Sequence, residues 1–263
     1  MQYSKKNLLL SQYFPKLSER KPFLGWFFER KYAILHIVGI MDAGRAAAKA
    51  ERNREMKELI ARYPSLSECA AAIESGRELL IDGFKRGGKL LVCGNGGSCA
   101  DSEHIVGELM KAFLCKREIP TVFREKLREV ADCDAEALAN NLQGALPAIS
   151  LTAHSALNSA YANDKRPDMA YAQQVYGYGR PGDVFLGIST SGNSANVVYA
   201  AQTAKAMGLK VMVLAGKNPC RLDAIADVAV HVPEAETYKA QELHMPIYHY
   251  WCAACEEAFF CGI

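Results

Sequence analysis

From about residue 51 onward, short continuous apolar runs alternate with polar stretches of helical period. The runs are Lys89–Cys93, the end of 142–150, Asp183–Ile188, Lys210–Ala215 and Val228–Val232. Runs of this length, bounded by turn residues, predict buried strands. Helices are predicted at Glu55–Tyr63, from Ser65-Leu66-Ser67-Glu68 (capping-box order) through Lys85, and at Asp101–Phe113. Further helices are expected at Thr121–Val130, within 153–177, at Ala195–Met207, at Leu222–Ala226 and after residue 232. Gly87-Gly88 and Gly208 stand where helix ends are expected. Pro246 breaks the last helical stretch, so Gln241 and His249 need not share one regular helix. The fold class is therefore α/β. Its expected form is three-layered, a doubly wound sheet of about five parallel strands with helices on both faces, preceded by an N-terminal helical segment.

Residues 1–50 show no clear period and read either as a poorly ordered extension or as an accessory segment, with Met41 and Met56 as alternative starts. Residues 51–263 form one domain in this reading. Leu8-Leu9-Leu10 is too short for a signal-peptide core, and Ala33–Met41 falls well short of the ~20 residues that span a bilayer. No membrane association is expected. A net charge of +2 gives no reason to expect a nucleic-acid partner. Nine cysteines, an odd number without a regular framework, argue against a disulfide scaffold and for a reducing cytoplasm. Cys252-x-x-Cys255 reads as two small helix residues.

Two loops carry the chemistry. Gly94-Asn95-Gly96-Gly97-Ser98 follows the first strand, and Ser189-Thr190-Ser191-Gly192-Asn193-Ser194 follows the third. Strand–loop–helix units of this composition present backbone N–H groups and hydroxyls to an oxyanion such as phosphate. His104 and Glu108, four residues apart, share one helix face.

These loops, with Asp101, His104, Glu108, the closing Gln241-Glu242-x-His244 and His249, resemble the sugar-isomerase (SIS) domain of phosphoheptose isomerases over about residues 56–260. The resemblance implies aldose–ketose isomerisation of a sugar phosphate, sedoheptulose 7-phosphate to D-glycero-D-manno-heptose 7-phosphate, with Glu108 and His249 as acid–base pair. It implies phosphate or sugar contacts from Asn95, Gly96, Gly97, Ser98, Asp164, Ser189, Thr190, Ser191, Ser194 and Gln241. His104, Glu108, Gln241 and His249 match a zinc set; no nucleotide or organic cofactor is implied. The family also implies a homo-oligomer, often a tetramer, with the apolar helices at 68–84 and 247–260 as faces between subunits.

Plainer readings stand beside these. His104 and Glu108 also suit a solvated ion pair, His249 a core histidine, and His244 packing. SIS domains also serve as non-catalytic modules, including a replication-initiator-associating type, or act on other sugar phosphates; retention of Glu108 and His249 favours catalysis. Three departures stand out: the long stretch Lys111–Asn141, Gly107 in place of an acidic residue, and Lys217-Asn218-Pro219-Cys220 in place of a glycine-rich loop.

Overall fold

A computed structural model describes residues 54–261. The expectation for residues 1–50 lies outside these. Helical turns over 54–62 (α1) lead through a 3-10 segment, Pro64–Cys69, into α2 (Ala70–Lys85). The expected capping box is replaced by this tighter turn. Pro64 fits its start because the ring fixes φ where no N–H is needed. Ser67 Oγ then donates to the Pro64 carbonyl instead of capping a helix.

The remaining elements alternate as predicted: β1 (Leu90–Cys93), α3 (Gly97–Met110), α4 (Thr121–Val130), α5 (Ala135–Asn141), β2 (Ala148–Ser150), α6 (Ser155–Asp164), α7 (Ala170–Tyr178), β3 (Val184–Ser189), α8 (Ala195–Ala206), β4 (Lys210–Ala215), β5 (Val228–His231) and α9 (Thr237–Phe259). The five strands among the described residues are all parallel, in the order β2-β1-β3-β4-β5. The chain winds one way from β1 to β2 and the other way from β3 to β5. Such sheets bind ligands at the carboxyl ends of the strands, at the switch between β1 and β3. The two hydroxyl-bearing loops leave the sheet at that point.

Side chains along each strand alternate between two cores, as a sheet covered on both faces requires. Leu90, Val92, Leu186, Ile188, Met212 and Leu214 meet α2, α3 and α9 on one face. Leu91, Cys93, Phe185, Val211 and Val213 face α7 and α8 on the other. Trp251 of α9 is buried against α2, its indole N–H donating to the Ile73 carbonyl at 2.8 Å. Gly76 makes room for that ring; a Cβ there would come within 2.8 Å of it. Overpacking of this kind costs about 1–3 kcal/mol.

Three expectations are corrected. Leu222–Ala226 is a series of turns, closed by Ile225 and Ala226 N–H groups on the Leu222 carbonyl. Pro246 lies inside the continuous helix α9, so Gln241 and His249 do share one helix. The missing N–H is tolerated because the flanking turns are anchored by buried Ile247, Tyr248 and Trp251. The apolar residues of α2 and α9 are largely buried in the protomer's own core rather than displayed on its surface. Finally, Cys115 and Cys261 form a disulfide; the other seven cysteines are free. An odd count leaves one thiol over but does not forbid a single bridge between distant segments.

Among the described residues, no helix is long and apolar enough to cross a membrane. The long stretch after α3 forms α4 and α5 around a small core of its own, Ile119, Leu127 and Ala139.

Candidate active site

The first loop turns on Gly96, whose φ of 57° favours glycine, and delivers the chain into α3. Gly97 gives Gln241 of α9 its place: a Cβ at Gly97 would lie 2.5 Å from Gln241 Nε2. Ser98 is buried at the start of α3. The second loop turns at Gly192 (φ 62°), which Cys220 covers closely. Ser189 Oγ, buried at the end of β3, lies 3.1 Å from Ser194 Oγ, and Ser191 Oγ accepts the Asn193 N–H.

The two loops are tied together by a reciprocal amide pair. Asn95 Nδ2 donates to Asn196 Oδ1 at 2.9 Å, and Asn196 Nδ2 donates back to Asn95 Oδ1 at 2.8 Å. The only local sequence signal at Asn196 is its place in the first turn of α8. Beyond the second loop, Thr190, Ser191, Asn193, Lys217 and Thr237 line a cleft of about 200 Å³. Lys217 supplies a cation beside hydroxyl donors, the combination a phosphate needs.

The ionisable cluster sits where α3 meets α9. His104 Nε2 lies 3.2 Å from Glu108 Oε1 and 3.4 Å from His249 Nε2. Lys111 Nζ reaches the other Glu108 oxygen at 3.3 Å. Behind His104, its Nδ1 lies 3.1 Å from the Tyr248 hydroxyl, which donates to Asp101 Oδ1 at 3.1 Å. With its hydrogen committed to Asp101, the Tyr248 oxygen accepts from His104 Nδ1, and this leaves Nε2 facing the cluster. Burial pushes the Asp101 carboxyl up against the pull of Tyr248 and His104. Burial and then the neighbouring His104 push His249 down, against an opposing pull from Glu108. Phe113 shields His249, ring centroids 5.6 Å apart.

A wholly buried ion pair holds the two helices in register. Arg117 Nε donates to Glu256 Oε1 of α9 at 2.7 Å, while its other nitrogens donate to the Glu108 and Leu109 carbonyls at the end of α3. Glu256 also accepts the N–H groups of Phe113, Leu114 and Cys115. Every oxygen of this buried carboxylate is thereby occupied. Neither residue has a local sequence signal.

The structure thus brings His104 next to both Glu108 and His249, and Gln241 lies beside the first loop. Asp164 does not join them: it is exposed at the end of α6, accepting from its neighbour Asn163. His244 is wholly buried, its pKa pushed down to about 4 by burial against a smaller opposing pull from the Ala215 backbone. Neither of its ring nitrogens makes a well-formed hydrogen bond.

A family model described as SIS domain matches residues 129–216. The phosphoheptose isomerase of Synechocystis is 35% identical over 189 residues, covering 72% of this chain and 84% of that protein. That of Pelobacter propionicus is 36% identical over 209 residues, covering 79% and 93%. The chain belongs to the phosphoheptose isomerase branch of the SIS family. Solved phosphoheptose isomerases from Neisseria gonorrhoeae (TM-score 0.57, 29% identity) and Francisella tularensis (TM-score 0.62, 26% identity) share its fold. They cover 81% and 79% of this chain, and 98% and 97% of their own. It is accordingly a sugar-phosphate isomerase.

Proposed function

We propose that this isomerase converts sedoheptulose 7-phosphate into D-glycero-D-manno-heptose 7-phosphate through an enediol(ate), with Glu108 and His249 as acid and base. The observation that carries this reading is the convergence of Glu108, His104 and His249 beside two oxyanion-binding loops at the sheet's switch point. In this scheme the phosphate lies among Ser98, Ser189, Thr190, Ser191 and Ser194, with Asn95, Gly96 and Gly97 shaping the adjoining turn. Glu108 takes the proton from C1 of the ketose as negative charge moves to O2. His249 transfers a proton from O1 to O2, and Glu108 returns its proton to C2, leaving the aldehyde at C1. Proton transfers by positioned groups contribute about 10²–10⁴-fold each. In the same scheme Gln241, beside Gly97, contacts a sugar hydroxyl. Asp164, exposed at the end of α6, is retained only as a contact implied by family resemblance.

The donor types suit zinc: His104 Nε2 lies within 3.4 Å of both Glu108 Oε1 and His249 Nε2, giving two imidazole nitrogens and a carboxylate, with Gln241 as the fourth position implied by resemblance. A zinc ion held by His104, Glu108 and His249 would polarise the sugar oxygens and stabilise the anionic intermediate. We also assign a homo-oligomer, a tetramer on the family pattern, working in the cytoplasm. Exposed Tyr176, Tyr238 and Met245 are apolar surface that such an assembly would cover.

The test is to mix purified protein with sedoheptulose 7-phosphate and follow the aldose by NMR, beside Glu108→Gln and His249→Ala. Turnover by the wild type and its loss in both variants are expected. No turnover by the wild type, with or without added zinc, would overturn the substrate assignment.

A further inference from the structure

The segment in which Lys217-Asn218-Pro219-Cys220 departs from the family pattern brings three different ligating atoms together. Cys220 Sγ lies 3.2 Å from Asp223 Oδ1, and His231 Nε2, at the end of β5, lies 2.8 Å from the same oxygen. The three atoms all fall within 4.8 Å of one another. Two of the three ligands are also fixed from behind. His231 Nδ1 lies 2.7 Å from the Gly216 carbonyl, which can only accept, so Nδ1 carries the hydrogen and Nε2 is committed to the cluster. The second Asp223 oxygen accepts the Cys220 N–H at 2.8 Å.

A divalent cation among these three atoms displaces the thiol hydrogen, so that Cys220 binds as a thiolate, His231 as a neutral ring through Nε2, and Asp223 as a carboxylate. Sulfur, imidazole nitrogen and carboxylate oxygen together select a borderline-soft ion and disfavour calcium and magnesium, which prefer oxygen alone. Asp223 is exposed and Cys220 and His231 half-buried, so an ion has a path in. Among the described residues, the other group of this kind, Cys115, Glu256 and Cys261, has its sulfurs joined in the disulfide.

We propose that Cys220, Asp223 and His231 form a zinc site separate from the His104 cluster, with one coordination position left to water or a ligand oxygen. The site would act as a clasp on the second hydroxyl loop. Cys220 packs on Gly192, and the Arg221 N–H donates to Asn193 Oδ1 at 3.0 Å. Fixing 217–223 thereby fixes the side of the cleft that holds Thr190, Ser191 and Lys217.

The first readout is titration of chelator-treated protein with Co²⁺, which reports a thiolate ligand by a charge-transfer absorption. One equivalent per chain should produce the band, and Cys220→Ser should abolish it. His231→Ala should weaken binding at least about 10- to 100-fold, the range seen for losing even an outer partner. His104→Ala should leave the band intact, because that cluster has no sulfur. The second readout uses the wild-type chain: alkylation followed by mass spectrometry. Zn²⁺ at ten times its dissociation constant should slow labelling of Cys220 about tenfold by mass action, while exposed Cys133 reacts at its metal-free rate. Absence of the band, a band that survives Cys220→Ser, or equal labelling of Cys220 with and without Zn²⁺ would overturn the site.

Discussion

The loops after β1 and β3 are built alike, yet they open onto different chemistry. The first leads into α3, where His104 and Glu108 meet His249 of α9, and ionisable groups touch one another at a half-exposed surface. The second leads into α8, and its hydroxyls are paired among themselves or aimed at a cleft with Lys217. Anchoring an anion calls for donors already in place. Moving protons calls for groups whose hydrogens can change hands, and such groups must be held from outside. Here the holding comes from Arg117 and Glu256, buried beneath α3 and α9.

On this division, substitutions on the two sides fail differently. The largest effect belongs to the α3 side: Glu108→Gln should lower kcat about 10²–10⁴-fold with the fold intact by circular dichroism. Next, Arg117→Met should cost about 3–5 kcal/mol in urea unfolding, because it strands a buried carboxylate. The same pair shapes the acid limb of stability. Burial pushes Glu256 up, but the N–H groups of Phe113 and Leu114, together with Arg117, outweigh it and hold its pKa below the ordinary 4.5. The stabilisation is therefore complete above about 4.5 and is lost as pH falls through the lower folded-state value. Glu256→Gln should flatten stability in that acid window.

On the β3 side, Lys217→Ala should raise KM about tenfold and leave kcat nearly unchanged, the signature of lost uniform binding. A fall in kcat instead would erase the distinction between the two loops. The smallest change is Tyr248→Phe, which removes the hydroxyl between Asp101 and His104. It should cost about 1 kcal/mol of transition-state stabilisation, read as a several-fold drop in kcat/KM. Its ¹⁵N imidazole spectrum should also show His104 losing its fixed tautomer, which a purely structural role would not produce.

Local patterns made much of this legible. β1, β3 and β4 are continuous apolar runs because both faces of the sheet are covered, and their loops announce themselves by glycine and hydroxyl content. His104 and Glu108 follow from helical spacing alone. What could not be read are contacts between segments far apart in the chain. Arg117 with Glu256, Tyr248 with Asp101, Asn95 with Asn196 and Cys115 with Cys261 leave no period to detect. Pro246 misled for a related reason: its local cost is real, and tertiary burial of the turns around it overrides that cost. The capping-box order at Ser65–Glu68 likewise yielded to Pro64, which started a tighter turn one residue earlier.

The central claim, that Glu108 moves a carbon-bound proton, is tested most directly in D₂O. NMR of the wild-type reaction should show solvent deuterium at C2 of the aldose and at C1 of the remaining ketose, and Glu108→Gln should show neither product nor exchange. Deuterium entering the ketose, or aldose forming, at an undiminished rate in Glu108→Gln would contradict it.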